Sequence, residues 1–462
     1  MGNVLETDYL VVGAGAAGMA ITDELLTHTD RSVAIVERRS APGGHWHVAY
    51  PFVRLHQPSS YYGVSSLQLG HDEIDEQGLN AGFYERAGAD EICAYYSRVL
   101  ETRFLTSGRV RWFPSCDFDG DDRFVSRLTG EVTRVVAQHR IVDTTYLEGE
   151  FPATSPPPFE VADGVRWIPA GGLAEVQEPP DRYVIVGAGK TALDACVYLL
   201  ERGVPADQVC WIKSREGRWL NRRFQQSLDQ LPQMVQGGAL LIEAMAAATS
   251  TEDLFARLEE ANVFLRVDPN TPATFMRGAI VSESELTLLR RIENVVRMGQ
   301  VRRIEPDRIV LTDGSVPTTP QSLHVHCAAR GVPRRPRRQM FEGRRMTVQP
   351  TMFATGPYMF AFLGVVEAML DDDDDKNRLC EPIIDWRTDT EFLAAFRARM
   401  NVDLVASAYP ELARWMKSTR LNPTSGIRAY IDDPAVVDAR ATVKQHAPGA
   451  VANLHKLLAQ AA

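Results

Sequence analysis

Apolar residues gather into short unbroken runs separated by helix-periodic stretches. Tyr9–Val12 and Val33–Val36 are one pair of such runs, and Tyr183–Val186 and Val209–Ile212 are another. Four apolar residues in a row, bounded by turn residues, predict strands covered on both faces, and a helix between two such strands predicts parallel pairing. Between the first pair stands Gly13-Ala-Gly15-Ala-Ala-Gly18 and a helical pattern to about Leu26; between the second stands Gly187-Ala-Gly189-Lys190-Thr191-Ala192 and a helix to about Arg202. The expected class is therefore α/β, with two Rossmann-like dinucleotide-binding units in one chain.

The rest of the pattern fills in around these units. Glu91 to about Thr106 reads as an amphipathic helix, with Ile92, Tyr95, Tyr96, Val99, Leu100 and Phe104 near one face. Gly108–Phe113 and Arg123–Val136 predict a small antiparallel sheet, and the proline-rich Pro152–Pro158 a stiff connector. A long helical region follows Arg223 to about Asn262, and a helix over Ser282–Val296 opens on a capping box of Ser282 and Glu285. A hairpin over Val301–Gly314 closes this part, Ser322–Gly331 reads as a strand ending in small residues, and the chain is helical from Thr390 onward as a cap or a dimer contact. The expected organisation is 1–160 with 320–462 as the first unit and its helical cap, and 161–319 as an inserted second unit with a helical insert at about 217–296.

The glycines carry the candidate chemistry. Gly13 permits the turn out of the strand, Gly15 has no Cβ to block a pyrophosphate, and Gly18 lets the helix lie close on the sheet, whose N-terminus presents free N–H groups. Glu37, at the expected distance of about 20 residues, is placed to accept bonds from ribose hydroxyls, with Arg38 in the turn behind it. The second unit repeats the cradle with Gly187, Gly189, Lys190 and Thr191, but its second strand runs into Lys213 and Arg215 and no acid. A carboxylate repels a 2′-phosphate and a cation attracts it, so the second site is expected to prefer NADPH over NADH. Gly43-Gly44-His45-Trp46 either lets the backbone pass close to a flat ring such as a flavin or forms a surface turn with a buried Trp.

This segment resembles the class B flavoprotein monooxygenases, the flavin-containing and Baeyer–Villiger types, whose first glycine motif is followed by GG-x-W and a Tyr-Pro stretch. Tyr50-Pro-Phe-Val-Arg54-Leu-His56-Gln57-Pro58-Ser59 matches that stretch in outline, with His56 where the Baeyer–Villiger branch has Asp. The resemblance implies FAD at the first cradle, NADPH at the second, and oxygenation of a small organic molecule by molecular oxygen through a C4a-(hydro)peroxyflavin. It implies His56, Gln57 and Tyr61 as groups that orient or protonate near the ring, Met352–Gly364 as a segment packed across the flavin, Arg140–Tyr146 as the strand that ends the first part of the FAD domain, and Ser322–Gly331 as the strand that returns the chain to it. The fingerprint FxGxxxHxxx[YF/W] lacks its His in Phe159–Pro169. That departure leaves a second reading, an FAD-dependent dehydrogenase or oxidase without oxygen insertion, and a third, a non-catalytic dinucleotide-binding protein.

Composition narrows the remaining classes. A formal charge of −10 argues against nucleic acid as a partner, and the six arginines of Arg334–Arg345 read as a solvated loop. Asp371–Asp375 reads as an exposed, flexible link near them. Six scattered cysteines offer no CxxC or CxxxxC pair, which argues against a disulfide reductase, gives no zinc spacing and fits a cytoplasmic protein. His324 and His326 share a strand face without a third ligand, so no metal is expected. The longest apolar stretch, Met359–Leu370, is too short to span a membrane and contains Glu367. Either Trp219, Arg222 and Arg223 line a substrate entrance, or Arg222 and Arg223 cap a solvated helix.

Overall fold

In a computed structural model, residues 3–146, 148–329, 331–352, 356–383 and 386–460 are described. The first apolar run extends into β1 (Asn3–Val12), followed by α1 (Ala16–His28) and β2 (Val33–Val36), which is buried at every position. Then come β3 (Val110–Phe113) and the long β4 (Val132–Asp143). Register is parallel throughout this group: Tyr9 pairs with Val33 and Arg140, and Val33 with Val110. Strand Arg345–Thr347 adds to the free side of β4, also in parallel.

The expected small antiparallel sheet is therefore corrected. β3 is an outer strand of the main sheet, and within this stretch it is Cys116–Phe118, Arg123–Ser126 and the start of β4 that pair antiparallel. The amphipathic helix is found at Ala89–Val99, continuing as a wider turn to Phe104, and its apolar face joins α1 and the helix Gly356–Met369 in one core with Tyr96, Phe104 and Phe362.

The second sheet is built on β5 (Tyr183–Val186), α2 (Lys190–Glu201) and β6 (Val209–Ile212), both strands buried throughout. Its order is Val295–Val296, β6, β5, Leu323–His326 and Trp167–Pro169, all parallel. Two expectations change here. Leu323–His326, read as the return to the first unit, is an inner strand of the second sheet, because all four of its residues are buried and both its edges are paired. The helix expected over Ser282–Val296 keeps its capping box but ends at Leu289, leaving Val295–Val296 to pair with β6.

The insert is not purely helical. Helices Leu231–Ala247 and Thr251–Glu260 stand beside a three-stranded sheet of Glu216–Asn221, Phe264–Leu265 and Ala273–Val281, where β-branched and aromatic residues favour extended chain. Val301–Ile304, Arg308–Leu311 and Gly314–Pro317 form the expected hairpin, extended by a third strand. The C-terminal helices divide their packing. Trp415 of Pro410–Ser418 stacks on Tyr358, whereas helix Pro434–Gln460 lies on the insert, with Leu454 and Leu457 in its core and Asn453 donating to the Met245 carbonyl at 2.8 Å.

Asp371–Asp375 is no loose link: Asp372 caps helix Asp373–Leu379, and Asp373 pairs with the buried Arg140, which also reaches the buried Glu367 at 2.9 Å. The arginine run is tied into the chain, with Arg334 on Glu391 and Arg335 and Arg338 over the Tyr146 ring. Of the segment expected to cross a flavin, Phe353–Thr355 lie outside the described residues, as does Arg330 of the return segment.

Candidate active site

The three glycines of the first turn meet different neighbours. A Cβ on Gly18 would sit 1.9 Å from the Gly13 carbonyl oxygen, and one on Gly13, whose φ is +97°, would sit 2.6 Å from Thr144 Oγ1. A Cβ on Gly15 would meet only Gly44 Cα, at 3.5 Å. The two glycine pairs interlock: Gly43 N donates to the Ala14 carbonyl at 2.9 Å, and a Cβ on Gly44 would fall 2.8 Å from Gly15 Cα. Only close backbone approach fits this junction, and glycine is the residue that allows it.

A cavity of about 920 Å³ runs over the turn, lined by Gly15, Glu37, Arg38, His45, Thr145 and Phe360 among others. Glu37 is buried, and its carboxylate accepts from Ala14 N at 2.7 Å and Arg39 N at 2.9 Å, which leaves acceptor positions on both oxygens. Arg38 pairs with Glu148 at 3.0 Å on the cavity wall. His45 stacks on Phe151 on the exposed cavity wall, where desolvation against that wall and then the Arg39 charge lower its pKa. Trp46 turns inward instead, its Nε1 donating to Tyr62 Oη at 2.7 Å. Of the two aromatic residues after the glycine pair, His45 is the one that lines the cavity.

The three residues expected to work near a flavin separate. Tyr61 is buried and its hydroxyl donates to the Gln225 carbonyl at 2.7 Å, which makes it an anchor between two loops. His56 and Gln57 are half-buried, and neither side chain has a hydrogen bond among the described residues. His56 is pushed down to about pKa 4 by burial first and then by the Lys190 charge, with Arg86 and Arg222 acting the same way and Asp194 opposing.

At the second turn Gly187, φ +153°, has no room for a Cβ, which would lie 2.8 Å from the Cys327 carbonyl oxygen. Gly189 is the N-cap of α2 and a Cβ there would meet nothing within 4 Å, so the backbone faces open space. Lys190 bonds Asp194, which also accepts from Tyr50 Oη at 2.6 Å, and Thr191 is a further partner of that hydroxyl. A cavity of about 440 Å³ opens beside them, lined by Phe52, Arg86, Lys190, Asp194, Tyr198 and Glu285. Burial would raise the Glu285 carboxyl, but Lys190, Arg222 and Arg86 pull it down to about 2. Arg222, expected at an entrance or on a solvated helix, is fully buried and donates to both Glu285 oxygens at 2.9 Å.

The cation reading of the second strand end needs correction at Lys213. Its side chain is buried, its ammonium bonds Glu216 at 2.6 Å, and burial lowers its pKa against the pull of that carboxylate. Glu216, three residues on, consumes the charge. Arg215 is the exposed cation here, its guanidinium 5.0 Å over the Phe275 ring. Asp143 and Thr145 on the first cavity, and Asp194 as the partner of Tyr50 between the cradles, are additions of the structure to the sequence reading. Asp194 carried a signal, since it stands one helical turn after Lys190. Among the described residues no group of three or more His, Cys, Asp or Glu could hold a metal ion.

Residues 11–57, which span the first turn, Glu37 and His56, match the family model of the NAD(P)-binding Rossmann-like domain. An uncharacterized Mycobacterium tuberculosis protein, Rv2000, is 44% identical over 426 residues, covering 90% of this chain and 78% of that protein, and the Mycobacterium bovis protein Mb2023 matches equally. Among solved structures, cyclohexanone-bound cyclohexanone monooxygenase in its Rotated conformation superposes with a TM-score of 0.53 at 13% identity, over 95% of this chain and 99% of that one. Oxidized steroid monooxygenase bound to NADP gives 0.50 at 16% identity, over 79% and 85%. The chain belongs to the family of the mycobacterial Rv2000 and Mb2023 proteins, and its fold is the two-dinucleotide-domain fold of the class B flavin monooxygenases.

Proposed function

We propose that this chain is an FAD-dependent, NADPH-using monooxygenase that oxygenates a small organic molecule. The observation that carries the reading is the interlock of the Gly13–Gly18 turn with Gly43–Gly44 under a cavity of about 920 Å³, with a second glycine turn on the same chain. A ligand pocket usually occupies about 300–1,000 Å³, so the space suits a large cofactor.

The residues fit FAD at the first turn. Backbone N–H groups at the start of α1 and the missing Cβ of Gly15 would receive the pyrophosphate, and Glu37 the ribose. When bound, FAD supplies the redox and oxygen-activating chemistry. NADPH would lie on the open backbone of Gly189, with Lys190 at its diphosphate and Arg215 toward its 2′-phosphate. His56 and Gln57 keep unused hydrogen-bonding groups at the end of the Tyr50–Ser59 stretch, and a neutral imidazole there can donate a hydrogen bond from one nitrogen and accept one at the other. Tyr61 supports them by pinning the loop to Gln225.

A second reading, dehydrogenase or oxidase chemistry without oxygen insertion, is favoured by one observation. The fingerprint region forms the short strands Glu160–Val161 and Trp167–Pro169 and brings no histidine. Anaerobic titration separates these from a non-catalytic protein. The FAD-loaded chain is expected to bleach with NADPH at a lower concentration than with NADH; failure to bind FAD, or no bleaching by either coenzyme, sinks the enzyme readings.

A further inference from the structure

The stretch Gly43–Phe52 touches both glycine turns. At one end Gly43 N donates to the Ala14 carbonyl and Gly44 lies against Gly15. At the other, Tyr50 Oη donates to Asp194 at 2.6 Å, and the Phe52 ring stacks on Tyr198 with centroids 4.3 Å apart. Asp194 and Tyr198 both belong to α2, the helix that starts at the second turn. The backbone of Tyr50 is also packed against Gly171, whose missing Cβ would lie 3.7 Å from Tyr50 Cα.

We propose that Tyr50, acting through Asp194, is a positioning residue that registers the two nucleotide sites. Lys190 is the helix's first residue and bonds Asp194, so a diphosphate on the α2 N-terminus competes with Asp194 for that ammonium. Once Lys190 turns to phosphate, the carboxylate relies on the Tyr50 hydroxyl, and the grip on Gly43–Phe52 tightens. Occupation of the second turn is thereby transmitted to the first turn and to His56 a few residues beyond. Tyr50 is suited to the task because burial, and then the Asp194 charge, hold its phenol far above the usual range, so it remains a donor.

This inference rests on the proposed cofactors, and its test has two arms. In the flavin-free chain, NADP⁺ should slow hydrogen exchange both at Gly187–Gly189 and across 43–52. Tyr50→Phe and Asp194→Ala should keep the first effect and lose the second. In the FAD-loaded chain, Tyr50→Phe should lower the limiting rate of anaerobic reduction by about tenfold or more, with the NADPH dissociation constant nearly unchanged. Asp194→Asn, which retains an acceptor, should lie nearer the parent than Asp194→Ala, and the Tyr50→Phe/Asp194→Ala pair should be no worse than Asp194→Ala alone. Equal protection of 43–52 in parent and Tyr50→Phe overturns the coupling, as does an equal reduction rate. A parent chain that NADPH fails to reduce sinks the enzyme reading instead, while the exchange arm still decides the coupling.

Discussion

At the scale of single residues, two glycines in one motif predict different outcomes. Gly18→Ala drives a Cβ to 1.9 Å from a backbone oxygen, so it should unfold the first unit or cost most of its thermal stability. Gly15→Ala meets only an ordinary contact, so the chain should melt near the parent temperature yet bind FAD at least about tenfold more weakly, because its methyl occupies the pyrophosphate approach. Thermal unfolding with and without FAD separates the two. One histidine predicts a pH dependence of definite sign. His56 sits at about pKa 4 in the fold against an ordinary 6.5, so the unfolded chain takes up more protons between those values. Stability of the flavin-free protein should be full above about pH 6.5 and fall as pH drops toward 4; His56→Gln should flatten part of that fall in denaturant titrations across this range. The glycines were legible in the sequence because their need is local. The state of His56 was not, since Lys190, Arg86 and Arg222 reach it from distant parts of the chain.

At the scale of elements, the end of β6 illustrates how a neighbour overrides a motif. Lys213→Met leaves the buried Glu216 carboxylate without its ammonium partner and should cost about 3–5 kcal/mol of stability, without reversing any preference between NADPH and NADH. Arg215→Gln should do the opposite, weakening NADPH selectively in steady-state kinetics while unfolding shifts little. The four-residue apolar runs became buried parallel strands because such runs suit nothing with a wet face. Leu323–His326 has the same burial but was read into the wrong sheet, for pairing partners are set by topology and not by the strand's own residues. Likewise the insert's Glu216–Asn221 strand exists through its pairing with Phe264–Leu265 and Ala273–Val281.

At the scale of the whole molecule, the two sheets each place a glycine turn at the start of a helix, and Gly43–Phe52 runs between them. The cavity over the first turn and the one beside Lys190 give each turn its own space. Helix Pro434–Gln460 braces the insert, and no helix among the described residues is long and apolar enough to cross a membrane. The two-unit architecture was readable from repetition alone, whereas the chemistry depends on groups that fold together only in three dimensions. The most direct test is a double-mixing stopped-flow experiment on the FAD-loaded chain, with anaerobic reduction by NADPH followed by oxygen. The predicted result is full reduction and then a spectral transient distinct from both oxidised and reduced flavin. Return to oxidised flavin in one featureless step, with stoichiometric peroxide, contradicts the monooxygenase reading.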